Sequence, residues 1–285
     1  MKLYLDTANL DHIREAASWG VIDGVTTNPS LIKKAAETFR GASAPMDMES
    51  YIKNILAAAG RTRPVSLEVA GLSADDMVEQ GMSLYELFNP VAGNVVIKIP
   101  VCTVSSAGGK NPFEGLLAIS RLDEERIPVN ATLIFTPEQA LLAAKAGADY
   151  VSPFAGRIDD RIRRKAGMTF EKTDYFPSEG VKDPDGMGRI ANDACLVSGI
   201  DLITQISAVF EEYEIESEII AASLRNPIQV REAALSGADI ATIPFEVLLA
   251  MVQHPGTADG IDAFTADLVE EYLTLFTKPK PDEKP

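Results

Sequence analysis

Cysteine and histidine are nearly absent: Cys102 and Cys195 are the only two thiols and His12 and His254 the only two imidazoles in 285 residues. The thiols lie far apart and match no metal or redox spacing. A disulfide scaffold is therefore set aside, and reduced cysteines in a cytoplasmic protein are the expectation. Basic charge is also short. With 26 Lys and Arg against 42 Asp and Glu the formal net charge is −16, which argues against nucleic acid or an anionic membrane as partner, because both need a basic footprint. No uncharged apolar stretch approaches the ~18 residues of a membrane span. The chain opens on Lys2-Leu3-Tyr4-Leu5-Asp6 and not on an apolar leader, so export and membrane insertion are not expected. A small anionic substrate stays compatible with this charge, since screening over ~8 Å lets one or two arginines at a pocket attract phosphate locally.

What is present is an ordinary globular composition, 46% hydrophobic and 24% charged, enough for one barrel-sized core or two smaller ones. Short strand-like runs recur at Lys2 to Leu5, Gly24 to Thr27, Val65 to Val69, Val95 to Ile99, Val129 to Ile134, Tyr150 to Pro153, Ile219 to Ala222 and Ile240 to Ile243. Segments with apolar residues three and four apart separate or follow them: Asp11 to Ser18, Met46 to Ala59, Ala74 to Phe88, Phe113 to Glu125, Pro137 to Ala146, Leu202 to Tyr213, Pro227 to Ser236 and Phe245 to Val252. Such a βα series predicts an α/β fold, a (β/α)8 TIM barrel, with a doubly wound sheet as the rival. Asn9, Ser73, Thr136-Pro137 and Asn226-Pro227 are placed as helix starts. The near-duplicates Ala146-Gly147-Ala148-Asp149 and Ser236-Gly237-Ala238-Asp239 read as helix ends with glycine at the left-handed position.

Two stretches exceed normal loop length. Gly156 to Asp193 interrupts the series after the sixth strand and contains Arg161-Ile162-Arg163-Arg164-Lys165. It reads as a long βα loop, either a solvated excursion or a lid, since βα loops rim the active face of a barrel. Thr265 to Phe276 reads as an added amphipathic helix before a frayed tail over 278–285. The expected organisation is one domain over 1–277, insertion 156–193 included.

Lys98 is the oddity within this pattern. Asn94-Val95-Val96-Ile97-Lys98-Ile99-Pro100 sets one amine among apolar residues of a run that otherwise reads as a buried strand. A buried amine either finds a counter-charge or has its pKa lowered, and a neutral amine can form a Schiff base with a carbonyl substrate; the plain alternative is an edge lysine facing solvent. Polar residues cluster at the other predicted strand ends: Asp6, Thr26 with Asn28, Glu68, Asn130 with Thr132, Ser152 with Phe154, and Ser223. Each alone could be a cap or a turn residue. Together they suit Schiff-base chemistry, with Glu68 and Asp6 as carboxylates on separate strands for proton transfer. Arg157 and Arg225, the latter at a helix start, are the candidate phosphate ligands.

At these residues the chain resembles the transaldolase family. The resemblance runs through Leu5-Asp6-Thr7-Ala8-Asn9, Gly24-Val25-Thr26-Thr27-Asn28-Pro29-Ser30-Leu31-Ile32, Val65-Ser66-Leu67-Glu68-Val69 and Val96-Ile97-Lys98-Ile99. It continues through Val129-Asn130-Ala131-Thr132-Leu133-Ile134-Phe135, Val151-Ser152-Pro153-Phe154-Ala155-Gly156-Arg157-Ile158 and Ala222-Ser223-Leu224-Arg225-Asn226. It implies transfer of a dihydroxyacetone unit between sugar phosphates, sedoheptulose 7-phosphate and glyceraldehyde 3-phosphate giving erythrose 4-phosphate and fructose 6-phosphate. The roles it implies are Lys98 as the Schiff-base lysine, Glu68 and Thr132 as holders of a proton-shuttling water, and Asp6 as the base at the donor's C4 hydroxyl. Asn28, Thr26 and Asn130 would hold hydroxyls or the enamine, Arg157, Ser223 and Arg225 the phosphate, and Ser152 would stand beside the lysine.

No metal or organic cofactor is implied, in keeping with two histidines, and a cytoplasmic homo-oligomer is expected. The fructose-6-phosphate aldolase-like enzymes, which release free dihydroxyacetone, are the near rival. They resemble a pattern with Gln at the Glu68 position and Tyr at the Phe154 position, so both residues point to transaldolase. A catalytically silent sugar-phosphate-binding barrel is the reading from another class. Pro100 to Glu114, longer than the usual turn after the lysine strand, and the 156–193 insertion are the departures from the family's pattern.

Overall fold

Eight short parallel strands close on one another in sequence order in the computed structural model, which describes residues 1–39, 47–105, 108–109, 111–183 and 188–276. The first half runs β1 (Lys2–Asp6), α1 (Leu10–Ser18), β2 (Gly24–Thr26), α2 (Pro29–Phe39), α3 (Met48–Ala59), β3 (Val65–Glu68), α4 (Ala74–Ala92), β4 (Val95–Pro100) and α5 (Glu114–Glu124). The second continues β5 (Val129–Ile134), α6 (Pro137–Lys145), β6 (Tyr150–Pro153), α7 (Ala155–Lys165), α8 (Gly199–Glu212), β7 (Glu218–Ala221), α9 (Pro227–Leu235), β8 (Ile240–Ile243), α10 (Phe245–Val252), α11 (Pro255–Ala266) and α12 (Glu270–Leu273). The fold is the expected (β/α)8 barrel. Closure comes from β1 pairing with β8, Lys2 to Leu5 lying opposite Ile240 to Ile243.

Period-two alternation sorts each strand between two environments. Leu5, Val25, Leu67, Ile97, Ile99, Val129, Ala131 and Val151 are buried with the helices in one continuous apolar cluster. Tyr4, Ile220 and Ile240, with Tyr150 against them, form a separate small cluster. The helix starts behave as their sequences predict: Asn9 accepts from the Asp11 and His12 N–H groups, Ser73 from Asp76, Thr136 from Gln139 and Asn226 from Gln229. Gly147 and Gly237 end their helices at φ 96° and 86°.

One strand carries backbone strain. Between Ala131 and Ile134 the register of β5 against β6 shifts, and Leu133 takes φ 58°, unusual for a residue with a Cβ. The bulge lies between the fully buried Thr132 and the fully buried Ile134, which belongs to the outer apolar cluster.

Several expectations need correction. The stretch after the sixth strand is not loop throughout, because α7 starts directly after β6. Ile158 and Ile162 on this helix are buried, and three basic residues fill its last turn, where the helix dipole favours them. The basic run is not simply a solvated face either. Arg163 is 3% exposed, lies 4.9 Å over each of the Phe170 and Phe176 rings, and donates to the Asp174 and Tyr175 carbonyls. The far end of the insertion is tied back through Asp193, which accepts from Arg161 and Lys165. Helix α2, missed after Asn28, starts at Pro29 with the Asn28 Oδ1 accepting from Leu31 N–H.

The C-terminal helix also falls elsewhere than expected: α11 spans Pro255–Ala266 with His254 as its cap, and α12 is a short turn at Glu270–Leu273. Apolar spacing through Leu268, Val269 and Tyr272 mimicked one helix, but Val269 is extended at φ −101°, ψ 151°. By contact density residues 1–248 form one compact unit and the remainder another. In the latter, α11 and α12 carry no buried residue. The tail 278–285, Met46 at the expected start of α3, and Ser106, Ala107 and Lys110 of the stretch after β4 lie outside the described residues. Among the described residues no helix is long and apolar enough to cross a membrane.

Leu133→Val tests the strain at the bulge. A β-branched side chain tolerates positive φ poorly, so urea unfolding is expected to show a loss of about 1–3 kcal/mol, and unchanged stability would mean that the strain is absent.

Candidate active site

Strand register places Glu68, Lys98 and Asn130 opposite one another on β3, β4 and β5. Lys98 is 4% exposed between buried Ile97 and Ile99, so the solvent-facing alternative does not hold. Its Nζ lies 3.2 Å from Glu68 Oε2 and donates to the Thr27 carbonyl at 3.2 Å. The buried amine has therefore found a counter-charge. Such a pair in a low-dielectric interior is held by geometry, because removing either member strands the other.

The second carboxylate stands on β1. Asp6 accepts from Thr26 Oγ1 at 2.9 Å, and that hydroxyl is 2.5 Å from Thr242 Oγ1 on β8. Burial pushes the Asp6 carboxyl above its ordinary range, opposed by the positive charge of Lys98, the Thr26 hydroxyl and the charge of Arg157. Asn130 is fully buried and oriented at both ends, donating to Ser66 Oγ at 3.1 Å and accepting from Ser152 Oγ at 2.7 Å. The Thr132 hydroxyl, also fully buried, has no hydrogen-bond partner among the described residues. A hydroxyl left so in a protein interior is a group to be explained by function. Ser66 and Thr242 were missed from sequence. Both were legible as polar residues in otherwise apolar strands, Ser66 sharing its face with Glu68 by period two.

A third group lies where β6 and β7 end. Phe154 precedes α7, and the guanidinium of the exposed Arg157 lies 4.9 Å over its ring. Ser223 takes φ 62°, a left-handed conformation costly for serine, and its carbonyl comes so close to Gly156 that a Cβ there would sit 2.1 Å from it. Arg225 is already paired, donating through Nη1 and Nη2 to the two oxygens of Asp160 at 2.5 and 2.7 Å. Asp160 had no sequence signal as a site residue. Asn28, two residues beyond β2 and directly before α2, uses its Oδ1 to cap that helix. Among the described residues no three His, Cys, Asp or Glu side chains gather as metal ligands would.

A closed parallel barrel with an amine and carboxylates held inside it defines the class: a lysine-centred (β/α)8 protein. The family model for transaldolase/fructose-6-phosphate aldolase matches residues 3–278. The chain is 43% identical over 267 residues to a protein of Hydrogenobaculum sp. named "Probable transaldolase", covering 94% of this chain and 96% of the relative. Proteins with the same name from Chlorobium chlorochromatii (42% over 268 residues, 94% and 97% covered) and Clostridium perfringens (39% over 278 residues, 98% and 100% covered) are similar to it as well. The chain belongs to the transaldolase/fructose-6-phosphate aldolase family, which is a family of enzymes.

The raised pKa of Asp6 fixes the sign of a stability effect. The native state holds this proton more tightly than the unfolded state, so stability is lost as pH rises from the unfolded carboxylate value of ~3.9 through the folded one. Asp6→Asn is therefore expected to raise the melting temperature at pH 7, with the difference shrinking below about pH 4; a lower melting temperature at pH 7 would contradict this.

Proposed function

We propose that the chain is a transaldolase that moves a dihydroxyacetone unit between sugar phosphates through a Schiff base on Lys98. The observation that carries this reading is the buried Lys98 amine held 3.2 Å from Glu68 in a member of this family. Lys98 passes a proton to its partner Glu68, and the neutral amine attacks the ketone of sedoheptulose 7-phosphate or fructose 6-phosphate. Glu68, with a water held also by the Thr132 hydroxyl, moves protons as the carbinolamine loses water. Asp6, its carboxyl pushed up by burial, takes the C4 hydroxyl proton as the carbon–carbon bond breaks, releasing erythrose 4-phosphate or glyceraldehyde 3-phosphate. It returns the proton when the other aldose phosphate adds to the enamine. Lys98 needs no metal or cofactor for these steps.

Asn130, fixed by Ser66 and Ser152, is suited to hold a hydroxyl or the enamine. Thr26 holds Asp6 in place, and Asn28 offers its amide nitrogen. Arg157, Ser223 and Arg225 take the phosphate near the start of α7, where backbone N–H groups favour an anion. Phe154 sets the product: with no phenol there to pass a proton to water, the enamine waits for its acceptor. The reading carries with it the non-oxidative pentose phosphate pathway, a cytoplasmic location and one domain over 1–277. It also includes assembly with further copies of the chain, supported by the exposure of Ile261, Phe264 and Phe276 in the C-terminal unit.

Fructose 6-phosphate consumption by the purified chain is expected to require an added aldose phosphate. Steady release of dihydroxyacetone without one would favour the aldolase instead. Lys98→Met, which places an apolar side chain on an apolar strand, is expected to abolish turnover while circular dichroism stays native; near-normal activity would remove the amine from the chemistry. Phe154→Tyr is expected to raise the share of free dihydroxyacetone, and an unchanged product ratio would count against the role given to that ring.

A further inference from the structure

We infer that Asp160 is a positioning residue for the phosphate end of the site, aiming Arg225 by a fork-on-fork pair; this rests on the assignment of Arg225 to the phosphate. Asp160 is 3% exposed on the second turn of α7, and each of its oxygens accepts from a different Nη of Arg225. Two parallel bonds fix the guanidinium plane as one bond would not. The Arg225 Nε then lies toward the first turn of α7, 3.3 Å from where a Cβ on Gly156 would stand.

The neighbouring acid grips the same corner through the backbone. Asp159 accepts from Gln229 Nε2 at 2.9 Å and from Gly199 N–H at 2.7 Å, while Gln229 Oε1 accepts from the Arg225 backbone N–H at 2.9 Å. From the insertion, the Lys172 carbonyl accepts from Arg225 Nη1 at 3.3 Å and the Thr173 carbonyl from Asn226 Nδ2 at 3.3 Å. Consecutive aspartates of one helix thus hold the side chain and the main chain of the same arginine.

Electrostatics follows from this pairing. Asp160 neutralises Arg225 before any ligand arrives, with Arg164 3.6 Å away on the same carboxylate but mostly exposed. Arg157, in no ion pair among the described residues, supplies the positive charge for the phosphate, and Arg225 contributes direction. An arginine held this way favours a phosphomonoester by geometry more than by charge, and lysine cannot replace it, having no fork.

The test compares fructose 6-phosphate with unphosphorylated fructose as donor, with glyceraldehyde 3-phosphate as acceptor, in the full chain. Asp160→Asn is expected to lower kcat/KM for fructose 6-phosphate by about 10–100-fold, mainly through KM, since small misplacements of a binding group carry costs of that size. With fructose the change should stay within about twofold of wild type. Equal losses on both donors would make Asp160 merely structural and overturn the proposal, as would tighter binding of fructose 6-phosphate. Arg225→Lys keeps the charge and loses the fork, so it should match Asp160→Asn; a wild-type KM for that variant overturns the proposal even if Asp160→Asn fails to fold. Arg225→Ala separates the two readings. If it leaves the KM for fructose 6-phosphate unchanged, the phosphate assignment fails and this inference with it. If it alone raises that KM, only the part given to Asp160 fails.

Discussion

An amine and a carboxylate share the interior of the barrel, and the rest of the molecule is arranged to keep them there. Lys98 and Glu68 face each other from neighbouring strands at 3.2 Å, the amine buried and the carboxylate only partly exposed. Desolvation of each costs more than a surface pair would ever return, so the arrangement persists only because eight strands close around it and the outward residues anchor those strands in a continuous apolar shell. Stability made outside the barrel carries the cost of chemistry prepared inside it.

Some local costs fall in the same region, although Arg126, Ala194, Cys195 and Glu214 are left-handed elsewhere. The left-handed Leu133 follows the fully buried Thr132, and the left-handed Ser223 lies against Gly156 at the start of α7. Asp6 is a carboxyl whose ionised form the interior disfavours. Backbone strain and disfavoured ionisation of this kind survive in a folded chain when surrounding contacts over-determine them, and they concentrate where a ligand is handled.

The strands were legible because period-two alternation and short length are local properties, and because Asn9, Ser73, Thr136 and Asn226 cap their helices by bonds only two or three residues long. Lys98, Glu68, Asp6 and Asn130 were legible as charged or polar residues in apolar runs. Helix α7 was not, since its buried face carries Asp159, Asp160 and Arg163 beside Ile158 and Ile162, and a pattern of apolar residues cannot show charges that become buried by pairing with residues far along the chain. Asp160 and Arg225 are 65 positions apart. The break between α11 and α12 was hidden for the opposite reason: apolar spacing runs on through Leu268, Val269 and Tyr272 although the backbone is extended at Val269.

Covalent capture tests the centre of this account most directly. The full-length chain would be reduced with borohydride in the presence of fructose 6-phosphate, then digested, and the modified peptide located by mass spectrometry. A reduced three-carbon adduct on the peptide containing Lys98 is the result the account predicts. An adduct on a different lysine, or none while the enzyme turns over, would contradict it.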